Sequence, residues 1–318
     1  MNPKKTSQAP PLLGEALSQM VDVCQTPKSR ELAALSDLDA AELQQFAAAW
    51  TGLSAEHKHQ VLHRLMEISE NNVEYNFNAV YKYVLSDPDM EVRRLAVACL
   101  WEDEEPSLVR PLLRLLAEDS AAAVREAAAM ALGRFSLLAE WQKINPEYRH
   151  RLSQALLEVI ADSKEDINVR RRALEAVAPI SVAEVTQAIW AAYRQPDHRL
   201  KASAIYAMGK NCDLLWLPTV IKELGDEDAE LRFEAAAAAG EMGEMEPVPH
   251  LVELVNDDDT EVRLAAVQAL GKIGGGEAKR TLRACLGNKS QAMREAAEEA
   301  LAEQPLFNQP FPVPGLDL

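Results

Sequence analysis

Aromatic residues are scarce in this sequence: Phe, Tyr and Trp together make up 5% of its 318 residues, although 48% are hydrophobic. That excludes a core built around large rings and favours close helix packing through Ala and Leu. Cysteine is also rare. Cys24, Cys99, Cys212 and Cys285 are far apart and form no C-x-x-C, which excludes a disulfide framework or a cysteine zinc site. No run of about 18 apolar residues occurs, so no membrane-spanning helix is expected. Met1 to Pro11 is polar, without the apolar stretch of a secretory signal, and a cytoplasmic location is the expectation. Positive charge is in deficit. The 33 Lys and Arg stand against 50 Asp and Glu, for a net charge of −17. A phosphate-binding surface needs clustered cations, so nucleic acid is a disfavoured partner and a basic protein segment a favoured one.

One phrase recurs: Val-Arg-x-x-Ala followed by Ala-Leu-Gly. Its basic residues are Arg93, Arg125, Arg170, Lys201, Arg232, Arg263 and Arg294, separated by 32, 45, 31, 31, 31 and 31 residues. Other positions keep the same phase. Asp89, Asp166, Asp197, Asp228 and Asp259 fall four before a basic residue, Gly133, Gly209, Gly240 and Gly271 eight after, and Pro111, Pro218 and Pro249 fourteen before. An Asp ahead of a helix accepts hydrogen bonds from its free N–H groups and meets the positive end of its dipole. A Pro just inside a helix start gives up an N–H that has no partner there. The Gly suits either a helix end or a tight crossing between helices. Each unit therefore reads as a helix A, an Asp-rich turn and a helix B. Such a pair buries its apolar face only by stacking on its neighbours.

The phrase resembles the short HEAT-type repeat of the phycobilisome-lyase class, found in bilin lyase subunits and deoxyhypusine hydroxylase. The resemblance covers about residues 73–303. It implies an all-α, right-handed α-solenoid of about seven repeats, used mostly by scaffolds and adaptors that bind a partner in a concave groove.

Residues 1–35 are expected to be largely flexible. Residues 36–72 read as a degenerate helical cap, with Leu43, Phe46 and Trp50 on one helix and Val61, Leu65 and Ile68 on the next. The one long step places an insertion near 136–149. Inserted segments of repeat arrays map to loops, with Trp141 here expected to tuck against its base. Residues 304–318 form a tail with Pro305, Pro310, Pro312 and Pro314 that cannot be helical. Its Phe307 and Phe311 are candidates for docking into the groove.

Four constellations could carry chemistry. The basic ladder could bind anions, but its paired Asp residues favour a structural set of inter-repeat ion pairs. On helix B the face opposite the core holds Arg94, Trp101, Met130, Arg171, Tyr206, Phe233, Leu264 and Gln268. This broken apolar stripe among acids is the candidate partner-binding groove. His59, His63 and Glu67 step by four along one helix face as metal ligands can, but no second cluster completes a shell and a solvated face is preferred. The hydroxylase's His-Glu iron ligands have no counterpart, because no His-Glu dipeptide occurs. No P-loop or nucleophile elbow is present either. The chain thus reads as a non-catalytic scaffold without a cofactor, binding a protein segment with basic and apolar residues. The alternative is a lyase-like or chaperone-like accessory that assists a cofactor-bearing protein.

Overall fold

The structure, a computed structural model, describes residues 12–22 and 28–302. Among these residues it is entirely helical, with 18 α-helices and no strand. The chain divides into two compact units, 1–135 and 136–318. The first contains α1 (Leu13–Val21), α2 (Ser29–Leu32), α3 (Ala40–Trp50), α4 (Ala55–Asn71), α5 (Asn78–Val84), α6 (Met90–Cys99) and α7 (Val109–Glu118). The unit boundary falls within α8 (Ala122–Glu140). The second contains α9 (Glu147–Ala161), α10 (Ile167–Val177), α11 (Ala183–Tyr193), α12 (His198–Asn211), α13 (Leu217–Glu223), α14 (Ala229–Met242), α15 (Val248–Leu254), α16 (Thr260–Ile273), α17 (Gly275–Cys285) and α18 (Gln291–Ala302).

Within each unit, helices pair and stack as in an α-solenoid. In the second, α9/α10, α11/α12, α13/α14, α15/α16 and α17/α18 are A/B pairs, and the B helices α10, α12, α14, α16 and α18 pack on one another in order. In the first, α6 packs on both α4 and α5, and α3 on α5.

Asp89, Asp166, Asp197, Asp228 and Asp259 each cap a B helix, accepting hydrogen bonds from backbone N–H groups one turn in. The basic ladder is paired differently from the sequence expectation. The capping Asp is not the partner of the ladder side chain. For Arg93, Lys201 and Arg232 that partner is the first Asp of the next repeat's turn. Arg93 grips Asp119 through Nε and Nη2 at 2.6 and 2.8 Å, and Arg232 grips Asp257 at 2.7 and 2.8 Å. Lys201 meets Asp226 at 3.0 Å, and Lys58 of the cap meets Asp87 at 2.7 Å. The same turns are held a second time through their carbonyls. Arg93 Nη1 donates to Asp87 O at 2.8 Å, Arg125 Nη1 to Asp119 O at 2.7 Å, Arg232 Nη1 to Asp226 O at 2.9 Å and Arg263 Nη1 to Asp257 O at 2.7 Å. A carboxylate two residues before the cap reaches across to the preceding repeat, whereas the capping carboxylate is already committed to its own helix.

The periodic Gly marks a crossing. A Cβ on Gly209, Gly240 or Gly271 would lie 2.6, 2.9 or 3.0 Å from the Cα of Ala238, Ala269 or Ala300 on the next B helix. The helix ends fall three residues later, at Cys212, Gly243 and Gly274, all with positive φ. Two of these are glycines. Cys212, at φ 54°, accepts a conformation that disfavours a side chain.

Two expectations about segments need correction. Within 1–35, α1 and α2 are formed, and Ala16, Met20, Leu32 and Leu35 are fully buried. His57, itself buried, donates through Nε2 to the carbonyl of Met20 at 2.7 Å and ties α1 to α4. Nor is 136–149 a free loop. Residues 136–140 extend α8, α9 begins at Glu147, and Arg149 pins the junction to Glu140 at 2.7 Å and to the carbonyl of Ser181 at 2.8 Å. Trp141 is 58% exposed rather than tucked in, with Lys143 Nζ 4.7 Å above its ring. Phe307 and Phe311 lie outside the described residues.

Gly240→Val should destabilise the second unit by roughly 1–3 kcal/mol, because Ala269 offers only backbone and Cβ to yield. Gly225→Ala, whose added carbon meets nothing nearer than 3.7 Å, should cost far less in the same urea titration. A second prediction concerns acid. Burial alone would raise the pKa of Asp226, but the Asp228 N–H and the Lys201 ammonium bring it down to about 2. With an unfolded value of about 3.9, the ionised form stabilises the fold in full above pH 4, and that contribution is lost as pH falls through 2. Denaturant midpoints should drop over that window by up to about 2 kcal/mol in free energy, and Asp226→Asn should flatten the slope.

Candidate functional site

The B-helix face of the second unit gathers five of the eight groove side chains proposed from the sequence, four of them half-buried. It rests on the close packing of α10, α12, α14 and α16. Because small residues line each seam, side chains from alternate helices converge over the helix between them. Ser203 of α12 is nearly buried, and its Oγ accepts from Arg171 Nε at 2.9 Å and donates to Glu175 Oε1 at 2.6 Å. Glu175 takes Arg172 Nη1 on its other oxygen at 2.7 Å. Two turns further along, Glu241 of α14 binds Lys272 at 2.7 Å and Lys210 at 3.3 Å, and Lys210 stands 5.6 Å from the centre of the Tyr206 ring.

Two groups on this face are electrostatically displaced. Burial, then the charges of Glu175 and Glu230, push the Glu234 carboxyl up to about 7, with Arg171 and Arg172 only partly offsetting them. Burial, then Glu175, Glu234 and Glu241, raise the Tyr206 hydroxyl above its usual range. Glu234 accepts no hydrogen bond among the described residues. It is a carboxylate held in negative surroundings, and an arriving cation would stabilise its charged form.

The candidate groove residues fall into two groups. Arg171, Tyr206, Phe233 and Leu264 are half-buried and Gln268 is exposed, on neighbouring B helices of the second unit. Arg94, Trp101 and Met130 stand in the first unit. There Arg94 is occupied by Glu91 at 2.6 and 2.8 Å, while Trp101 and Met130 are 68% and 55% exposed. Arg134 donates to the carbonyl of Trp101 at 2.6 Å. A helical wheel places the position two after the repeat Val outward, but the structure turns it into the seam between B helices, and Ala202 is 1% exposed there. The positions three and ten after the Val supply the polar partners instead: Arg172, Ser203 and Glu234, then Lys210, Glu241 and Lys272. Their phase in the repeat was readable, but their inward tilt follows from how closely neighbouring B helices approach.

The histidine row is dispersed. His59 Nε2 meets Asp89 Oδ1 at 2.7 Å, linking α4 to α6, whereas His63 is exposed. Among the described residues no group of three or more His, Cys, Asp or Glu is arranged to hold a metal ion. In the same residues no helix is long and apolar enough to cross a membrane.

The family profile described as HEAT repeats matches residues 78–142 and 217–302. No curated protein sequence matches. Among solved structures, the phycocyanin lyase complex of CpcE and CpcF from Nostoc sp. PCC7120 is similar at 19% identity and TM-score 0.53, over 73% of this chain and 89% of that one. Yeast importin-β (Kap95p) is similar at 13% identity and TM-score 0.52, over 91% of this chain and 46% of that one. At such identities the likeness is one of fold.

If Glu234 titrates near neutrality, the fold should lose stability as pH rises from about 4.5 through 7, since the folded state must then ionise a group the unfolded chain ionises freely. Glu234→Gln should match the wild type in urea stability at about pH 4 and exceed it at pH 8 by roughly 1–2 kcal/mol, less than the full shift implies because the group retains some water.

Proposed function

We propose that this HEAT-repeat chain is a non-catalytic protein-interaction scaffold, and that the B-helix face of its second unit holds a partner segment carrying basic and apolar residues. The observation that supports this most is Glu234, a half-buried carboxylate without a hydrogen-bond donor, set between Tyr206 on α12 and acids on α10 and α14. A Lys or Arg from a partner would pair with it. Phe233, Leu264 and Tyr206 offer apolar surface beside it, as a helix or extended segment docked on a repeat face requires. The abundance of acid over base gives such a segment long-range attraction. The sequence motifs of nucleophilic, phosphate-transfer or iron-dependent catalysis are missing, and the face holds ion pairs that satisfy one another.

The reading as an accessory that assists a cofactor-bearing protein would use the same face. Its support is the likeness to the phycocyanin lyase complex, which reaches only to the fold.

Affinity capture from native lysate, quantified by mass spectrometry, tests the scaffold reading. A partner bound by wild type should be lost with Tyr206→Glu/Phe233→Glu and weakened about tenfold or more with Glu234→Gln, while the double variant unfolds near the wild-type temperature and Glu234→Gln no lower than it. Equal retention by all three proteins, or capture of no partner, would overturn it.

A further inference from the structure

The ladder's pairing rule does not hold at Arg170. Arg93, Lys201 and Arg232 pair with the residue 26, 25 and 25 positions on, in each case an Asp. For Arg170 that position is Gln195, an exposed amide. Arg170 also departs from the carbonyl grip of its relatives. Its Nε donates to the carbonyl of Ile160 at 3.0 Å, and its Nη1 and Nη2 make no hydrogen bond among the described residues. Arg263 likewise meets an Asn at its offset, Asn288, but its guanidinium is engaged by two carbonyls and by Thr260 Oγ1 at 2.7 Å.

Arg170 stands in the wall of an open groove of about 510 Å³ between the A helices α9 and α11. The groove is otherwise lined mainly by apolar side chains, among them Leu157, Ile160, Ala188, Ala191 and Leu200. A guanidinium with two undirected N–H edges beside aliphatic surface is suited to a carboxylate carried on an aliphatic segment, which it can grip in bidentate fashion. Glu184 also lines the groove. It lies in the first turn of α11 and Gln195 just past the last, so about 16 Å of helix separates them. That exceeds the screening length of about 8 Å at physiological ionic strength, so Glu184 opposes an acid bound at the Gln195 end of the groove only weakly, while the net negative charge slows the approach of such a segment.

We propose that the groove between α9 and α11 binds a partner segment in which one Asp or Glu is flanked by aliphatic residues, the carboxylate giving Arg170 the pair that Gln195 lacks. Aliphatic neighbours fill the space above Ala188 and Ala191, and a basic residue beyond them faces Glu184. The site lies between the A helices α9 and α11, with Arg170 reaching in from α10, and does not depend on Glu234 or Phe233, so it stands or falls separately from the face proposed above.

The substitution that completes the ladder provides the test. Gln195→Asp places a carboxylate at the regular offset, where it satisfies Arg170 from within and competes with any partner. Random dodecapeptides displayed on phage would be selected on the full chain, counter-selected on Arg170→Gln, and the recovered peptides synthesised and titrated. The recovered peptides should share an acid flanked by aliphatic residues. They should bind Arg170→Gln, Gln195→Asp and Ala191→Glu at least tenfold more weakly than wild type, and Phe233→Glu as well as wild type. Gln195→Asp should unfold at a temperature no lower than wild type, which separates competition for Arg170 from damage to the fold. Selection of no binder, peptides without an acid, or full affinity for Gln195→Asp would overturn the proposal.

Discussion

The architecture depends on the doubly held turn. In each regular repeat the first Asp of the turn is gripped through its carboxylate by the preceding repeat's Arg or Lys and through its carbonyl by its own repeat's Arg. One residue thereby joins two repeats and closes a turn whose backbone groups would otherwise lack partners. The grip is charge-assisted and largely shielded: the Asp119 and Asp257 side chains are 4% and 8% exposed. Removing one partner would leave the other charge stranded, which costs more than the pair contributes. A turn built this way places every B helix at a set distance from the last, and the partner-facing surface is assembled from those helices.

The second constraint is distance. Gly209, Gly240 and Gly271 bring successive B helices into contact at the backbone, with Ala238, Ala269 and Ala300 as the opposing surface. Large rings do not fit such seams, which accounts for the scarcity of aromatics and the run of buried alanines in α14. The same closeness lets Arg171 and Glu175 of α10 reach Ser203 and act on Glu234 of α14. The electrostatic character of the face therefore follows from the packing of the layer beneath it.

Much of this was legible in the sequence. The capping Asp residues, the helical pairs and the prolines at the starts of α13 and α15 follow from short-range chemistry repeated in phase. What was not legible depends on distance between helices. The wheel of a single helix puts Phe233 and Leu264 outward, but neighbouring B helices cover part of each. The pairing of Arg232 with Asp257 spans 25 residues, and only the stacked geometry separates it from the nearer Asp228. At the N-terminus a signal was present. Leu13, Ala16, Leu17 and Met20 have helical spacing, but the stretch is short, and its burial depends on α3 and on His57 of α4.

The regular offset has an evolutionary consequence. Between Lys201 and Arg263 the ladder pairs and the glycine crossings recur at fixed separations, so the array has a natural quantum of growth, the whole repeat of 31 residues. Duplicating the stretch from Asp226 to Asn256 would copy a donor, an acceptor and a helix crossing together, and each new copy would find its neighbours already in phase. Gaining or losing a single residue inside a turn would instead misalign the acid, the carbonyl and the glycine at once. Lineages descending from such an array are therefore free to change in the number of repeats and in the side chains on their faces, while the length of the turn stays constant.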